Sequence, residues 1–193
     1  MNVSLAGKFD VLSGLHIEIS PYLMYSDSFV NQIPTGVKFT NRGTFPVWTY
    51  QQIKARILGV DADAELSISD KLKWKSNFSI LKGDDLSTNE PLILMMPTKL
   101  TNALELNLSQ PKNFYITLEN ENAFKQNRFP IRNPPITFIN NDGQMVSDVV
   151  DFSSTPAAYT IFNASVGADL FKNLNLNFRI NNLFNAEYRE YLS

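Results

Sequence analysis

The sequence predicts an all-β fold, an antiparallel up-and-down transmembrane β-barrel wall of about eight long strands. Three observations lead there. Apolar and polar residues alternate with period two along nearly the whole chain, which gives each strand one apolar and one polar face. The alternating segments reach the ~9–11 residues that a tilted membrane strand needs, where ordinary globular strands run to about 5–6. Short and long connections between them take turns.

The strands follow in order. In 2–12, Val3, Leu5, Phe9 and Val11 oppose Ser4, Lys8 and Asp10; in 15–26, Leu15, Ile17, Ile19, Leu23 and Tyr25 oppose His16, Glu18 and Ser20. Segment 47–68 sets Leu58, Val60, Ala62, Ala64 and Leu66 against Asp61, Asp63 and Glu65; 72–82 sets Leu72, Trp74, Phe78 and Ile80 against Lys73, Lys75 and Asn77. In 98–109, Leu104, Leu106 and Leu108 face away from Glu105 and Asn107, and in 114–127 Phe114, Ile116 and Leu118 face away from Thr117, Glu119 and Glu121. The last two are 158–170, with Phe162, Ala164 and Val166 against Asn163 and Ser165, and 173–184, with Leu174, Leu176, Phe178 and Ile180 against Asn175, Asn177 and Arg179. Placing Val11 opposite Leu15 brings Asp10 to His16 and Lys8 to Glu18. Placing Leu66 opposite Trp74 brings Glu65 to Lys75, so the charges set register on the polar face. Lys54 and Arg56 share the parity of Leu58. Residues 47–56 are therefore expected to rise above the bilayer rather than to bulge.

The links 13–14, 69–71, 110–113 and 171–173 are short, and 27–46, 83–97 and 128–157 are long. Short turns on one rim and long loops on the other are the asymmetry of outer-membrane barrels, and structureless loops above about 12–15 residues are uncommon in compact domains. Alternation alone also suits a soluble sandwich. The longest apolar run, Leu92 to Met96, is far below the ~20 residues of a spanning helix. A net charge of -2 argues against a nucleic-acid partner. Zero Cys excludes disulfides and thiolate chemistry. The 21 Asn residues suit turns and wet faces rather than helix interiors. With the short turns periplasmic, Met1 and Ser193 both fall at the outer rim, opposite to a complete even-stranded barrel. The expectation is a single domain, 1–193, cut at both ends from a larger wall.

The C-terminal run carries Asn182, Leu183, Phe184, Asn185, Tyr188 and Arg189, and Gly43-Thr-Phe-Pro-Val-Trp-Thr-Tyr50-Gln-Gln52 with Ala55 and Gly59 forms a second pattern, followed by Leu81-Lys82-Gly83, Pro91-Leu92 and Met96-Pro97. In this order they resemble the late barrel of TonB-dependent outer-membrane receptors, especially Bacteroidetes-type members. The resemblance implies a piece of a plugged barrel of about 22 strands, amounting to about its last third and stopping short of the final strand. It implies the outer membrane of a Gram-negative bacterium, partners in lipid and in the remaining barrel and plug, the TonB complex reached only through that plug, and uptake of an iron chelate, haem, corrinoid or glycan.

No catalytic residue, cofactor or metal is expected. His16 sits beside a short turn, away from the long loops and within reach of Asp10, which leaves a small membrane-barrel enzyme as the weakest alternative. Asp61, Asp63 and Glu65 stand about 7 Å apart in a row, spacing that suits a solvated wall better than one hard cation. Ligand contact is expected on the outer loops, from Trp48, Tyr50, Arg128, Phe129 and Arg132, the guanidinium groups suiting carboxylate or phosphate. Phe45, Trp48, Tyr50, Phe124, Tyr159, Phe184 and Tyr188 are expected in an interfacial aromatic girdle, and the apolar stretch Pro91–Pro97 against a neighbour or lipid headgroups. A second alternative is a soluble β-sandwich binding module with Trp48 and Trp74 as a stacking platform.

Overall fold

The computed structural model describes residues 1–41, 43–108, 114–130, 136–139, 142–148, 157–171 and 174–190. In chain order the strands are β1 (Asn2–Ser4), β2 (Gly7–Leu12), β3 (Leu15–Thr40), β4 (Gly43–Ser67), β5 (Leu72–Asp85), β6 (Glu90–Pro91), β7 (Lys99–Leu108), β8 (Phe114–Ala123), β9 (Ile136–Ile139), β10 (Met145–Asp148), β11 (Tyr159–Phe171) and β12 (Leu174–Ile180). Ten form one antiparallel sheet, ordered β1-β3-β4-β5-β7-β8-β11-β12, with β2 also on β3 and β6 on β5; β9 and β10 pair separately. The large sheet is not closed. All eight expected strands are present in meander order.

The departures have physical causes. The first strand is split into β1 and β2, although Leu5 N still donates to Pro21 O (3.1 Å) between them. The expected loop 27–46 is instead a hairpin arm, since β3 and β4 stay paired from Leu15↔Leu66 to Thr40↔Gly43. Asn31, Gln32, Thr49 and Gln51 lack the apolar alternation that betrays a strand, because this arm carries polar residues on both faces. Residues 124–127 and 181–184 leave the sheet rather than extending it. Segments 83–97 and 128–157 hold β6 and the β9–β10 pair. Asp10↔His16 and Lys8↔Glu18 are in register, but a bulge sets Leu12 rather than Val11 opposite Leu15. Leu66↔Trp74 and Glu65↔Lys75 pair as expected.

β4 passes Lys54, Arg56 and Leu58 with unbroken pairing to β5; the irregularity lies on β3, between Ser26 and Phe29. Strand parity then puts Leu58 to Leu66 on one face and Gly59, Asp61, Asp63 and Glu65 on the other. The apolar face has no second layer over it among the described residues. Phe178 is 61% exposed, Leu118 54% and Phe9 54%, and the buried apolar residues described are only Ile53, Ala55, Leu92, Ala123 and Ile161. A sandwich would bury this face against a second sheet. Here it stays bare, which suits a hydrocarbon solvent.

The polar face is concave. A 640 Å³ hollow is lined by side chains drawn from six strands, including Lys8, His16, Asp63, Lys75, Thr101 and Glu119. Two glycines let tyrosines lie flat across this face: a Cβ on Gly59 would meet the ring of Tyr22 at 2.4 Å, and one on Gly167 the ring of Tyr115 at 2.3 Å. Each tyrosine sits directly opposite its glycine, covering backbone that a glycine leaves bare.

Candidate ligand-binding rim

On the concave face the acids meet partners across strands. Lys73 Nζ lies 2.7 Å from Glu65, Lys75 Nζ 2.7 Å from Glu105, Lys99 Nζ 3.0 Å from Glu121 and Arg179 2.9 Å from Glu119. His16 Nδ1 hydrogen-bonds Asp10 Oδ1. Asp61 accepts from Ser79 (2.6 Å) and Asp63 from Asn77 (2.7 Å), so Asp61, Asp63 and Glu65 are each held by a different residue of β5 and do not converge. The expected Glu65–Lys75 contact is replaced by two diagonal ones, because Lys75 reaches the next strand instead.

Towards the long-loop end, β4 changes what each face carries. Ile53, Ala55 and Ile57, on the concave parity, form a small core with Phe29, Leu92 and Met95. The apolar stretch 91–97 therefore folds inward over the sheet, correcting its expected place against a neighbour or lipid. Pro91 and Glu90 pair with Asp84 and Asp85, Leu92 N donates to Gly83 O at 3.0 Å, and Leu92 is 1% exposed. Gly83 admits it, since a Cβ there would stand 2.8 Å from Leu92 Cδ1.

On the other face of the same rows, Arg56 and Arg128 both bind Asp84, Arg56 at 3.0 Å. Burial pushes the Asp84 carboxyl pKa up, but hydrogen bonds from Arg56 and Arg128 and their charges outweigh it and hold it below the usual aspartate value. Gln126 Nε2 donates to Met95 O (3.0 Å) and Met96 O (3.3 Å). Segment 124–130 is thus strapped across the 84–96 turn.

Arg128 is therefore already engaged by a carboxylate, and Phe129 beside it is half-buried. Arg132 lies outside the described residues. Trp48 is half-buried and Tyr50 69% exposed, the Tyr50 hydroxyl accepting from Gln32 Nε2 at 2.9 Å. Both stand on the hairpin arm, six to eight residues above Arg56, roughly 20–26 Å at a strand's rise, so they are not gathered with Arg128. Sequence reasoning missed Arg56 and Asp84. The register that sets Leu66 opposite Trp74 also sets Arg56 opposite Asp84; ending the strand at residue 82 hid the pair.

The Asn182–Tyr188 motif builds a turn. Asn182 and Asn185 have φ of 51°, a region asparagine tolerates better than most residues. The Asn182 side chain accepts from Ala186 N (2.8 Å) and donates to Ala186 O (2.9 Å), while Asn182 N donates to Asn163 Oδ1 (2.9 Å). Phe184 meets Phe162 edge-on at 5.3 Å, and Tyr188 leans on Tyr159 at 4.7 Å. Tyr159 lies on the polar parity and donates to Glu121 (3.1 Å), so it and Tyr188 are not part of an outward girdle.

No family model matches the sequence, and no curated protein matches it. Solved structures do match. The copper transporter OprC superposes with a TM-score of 0.75 at 16% identity, over 99% of this chain and 26% of its own. The FrpB iron transporter from Neisseria meningitidis gives 0.61 at 14%, over 98% and 28%. The pyoverdine outer membrane receptor FpvA from Pseudomonas aeruginosa PAO1 gives 0.58 at 13%, over 97% and 26%. The three are TonB-dependent outer-membrane receptors, and the chain spans about a quarter of the length of each. The likeness shows the fold alone: an open antiparallel sheet that superposes on about a quarter of such a barrel.

Proposed function

We propose that the chain is part of the wall of a Gram-negative outer-membrane receptor, and that the barrel takes up a large nutrient, an iron chelate, haem, corrinoid or glycan, in a TonB-dependent way. The observation that carries this reading is the contrast between faces: apolar side chains left bare along the strands, and a concave side on which Lys73, Lys75, Lys99 and Arg179 each meet a glutamate. That the neighbours are a copper transporter, an iron transporter and a pyoverdine receptor supports the class without choosing the ligand. In this reading the remaining wall and a plug complete the barrel, and TonB acts through the plug. Trp48, Tyr50 and Phe129, with Arg132, offer the ligand contacts, while Arg128 serves first as a strap.

Carbonate washing of native membranes is expected to leave the protein in the pellet, and its deletion to abolish energy-dependent uptake of one such nutrient. Release into the supernatant would overturn the wall reading. Unchanged uptake across all four ligand classes would overturn the transport reading.

A further inference from the structure

On the outward face of β4 and β5 the apolar field ends in a cluster of cations. Along β4 this parity runs Val60, Leu58, Arg56, Lys54, and along β5 it runs Phe78, Ile80, Lys82, Asp84. Register puts Lys82 opposite Leu58, and Arg56 between Tyr25 of β3 and Asp84 of β5. Arg56 and Arg128 both bind Asp84. One carboxylate therefore answers two guanidinium groups, and a positive charge is left over. Lys54 and Lys82 are exposed, and neither side chain has a hydrogen bond or ion pair among the described residues. Asp27, in the bulge of β3 opposite Lys54, makes no ion pair with it. Four cations thus stand with two carboxylates at this edge, in a chain whose net charge is -2.

The rows of Lys82, Arg56 and Lys54 rise in steps of two residues, roughly 7 Å each along the strands. Long side chains at that spacing can converge on one anion. Tyr25, in the Arg56 row, is the residue type that collects where an apolar layer meets a wet one. We propose that this edge binds the phosphate of an anionic membrane lipid. Charge selects the partner: guanidinium and ammonium groups match phosphate oxygens, and a basic cluster beside a bilayer attracts anionic headgroups. A zwitterionic headgroup would leave the surplus positive charge unanswered. The inference rests on the membrane reading proposed above, and it uses the order of residues along β4 and β5 rather than a depth in the bilayer.

The test titrates the whole protein, in mild detergent, with phosphatidylglycerol or phosphatidylcholine of identical acyl chains, and counts bound lipid by intact mass spectrometry. Matched chains cancel whatever the apolar face contributes. The wild type is expected to prefer phosphatidylglycerol about thirty-fold, taking about 1 kcal/mol for each of the two unpaired lysines. Lys54→Gln with Lys82→Gln should abolish that preference and leave phosphatidylcholine binding unchanged, whereas Lys54→Arg with Lys82→Arg should keep it. Neither lysine holds another residue, so the fold should survive, which heat-modifiable gel migration checks. Salt offers a measurement that needs no variant: the wild-type preference should shrink as ionic strength rises. Equal binding of the two lipids overturns the proposal, as does a preference that survives in the glutamine variant or is indifferent to salt. Displacement of phosphatidylglycerol by equimolar inorganic phosphate overturns it too, assigning the edge to a free anion. Loss of the protein to the carbonate supernatant would instead sink the membrane reading itself, so the two failures are distinguishable.

Discussion

Two stretches of one strand, β4, behave as opposites. Between Leu58 and Leu66 the outward parity is apolar and the inward parity acidic. Between Lys54 and Ile57 the outward residues are Lys54 and Arg56, and the inward ones, Ala55 and Ile57, belong to a small core. The backbone register to β5 does not slip between the two. On the reading proposed above, what changes is the surroundings: lipid outside and water inside for the lower stretch, water outside and the folded-in Leu92 for the upper. Side-chain parity is a property of the strand, whereas the polarity each parity carries reports what that face touches.

The sharpest way to break this comparison is one substitution made in both regions. Leu118→Arg places a cation on the bare apolar face and, on the wall reading proposed above, is expected to destabilise the folded protein in bilayers by about 2–4 kcal/mol. Gln52→Arg lies on the outward parity of the arm, where the change should stay within about 0.5 kcal/mol. Urea titrations of both variants in vesicles measure the difference, and equal costs would mean that the lower face does not meet hydrocarbon.

Leu92→Ala tests the rim from within. Removing a fully covered leucine from a small core costs about 2–3 kcal/mol here, at the low end for such truncations because the loop can settle. The loss should be local. Hydrogen exchange is expected to rise in residues 83–97 and 53–57 while the paired amides of β7 and β8 keep their protection. Acceleration spread evenly over the wall would show that rim and wall are one cooperative unit.

The wall was legible in the sequence because one apolar and one polar face impose period two, and the Leu66–Trp74 register follows from that pattern. The hairpin arm was not, since Gln32, Thr49, Tyr50 and Gln51 put polar groups on both faces and show no apolar alternation. The inward fold of Leu92 was hidden for a different reason: an apolar loop announces that it is covered, but not by what. In the Asn182–Tyr188 turn the motif was visible and its mechanics were not, because hydrogen bonding of a side chain to backbone four residues on leaves no periodic trace. Arg128 read as a free cation for the same reason that Asp84 was overlooked: their meeting joins residues 44 positions apart across a turn the sequence leaves unspecified.

That ion cluster offers the smallest and most selective test. Asp84 has a folded pKa below its unfolded value, set by Arg56 and Arg128. Its contribution is therefore complete above the unfolded aspartate value near 3.9 and fades as pH falls through the lower folded value. Both arginines stay charged throughout, so acid removes only the carboxylate's half of the contact. The strap over residues 84–96 should loosen below about pH 4, seen as faster exchange in segment 124–130. Asp84→Asn should loosen it at neutral pH by about 1 kcal/mol, a modest figure because Arg56 and Arg128 are partly solvated, and should remove the acid-dependent step. If the variant keeps that step, another group holds the strap, and the boundary between wall and rim must be drawn somewhere other than at the Arg56–Asp84 row.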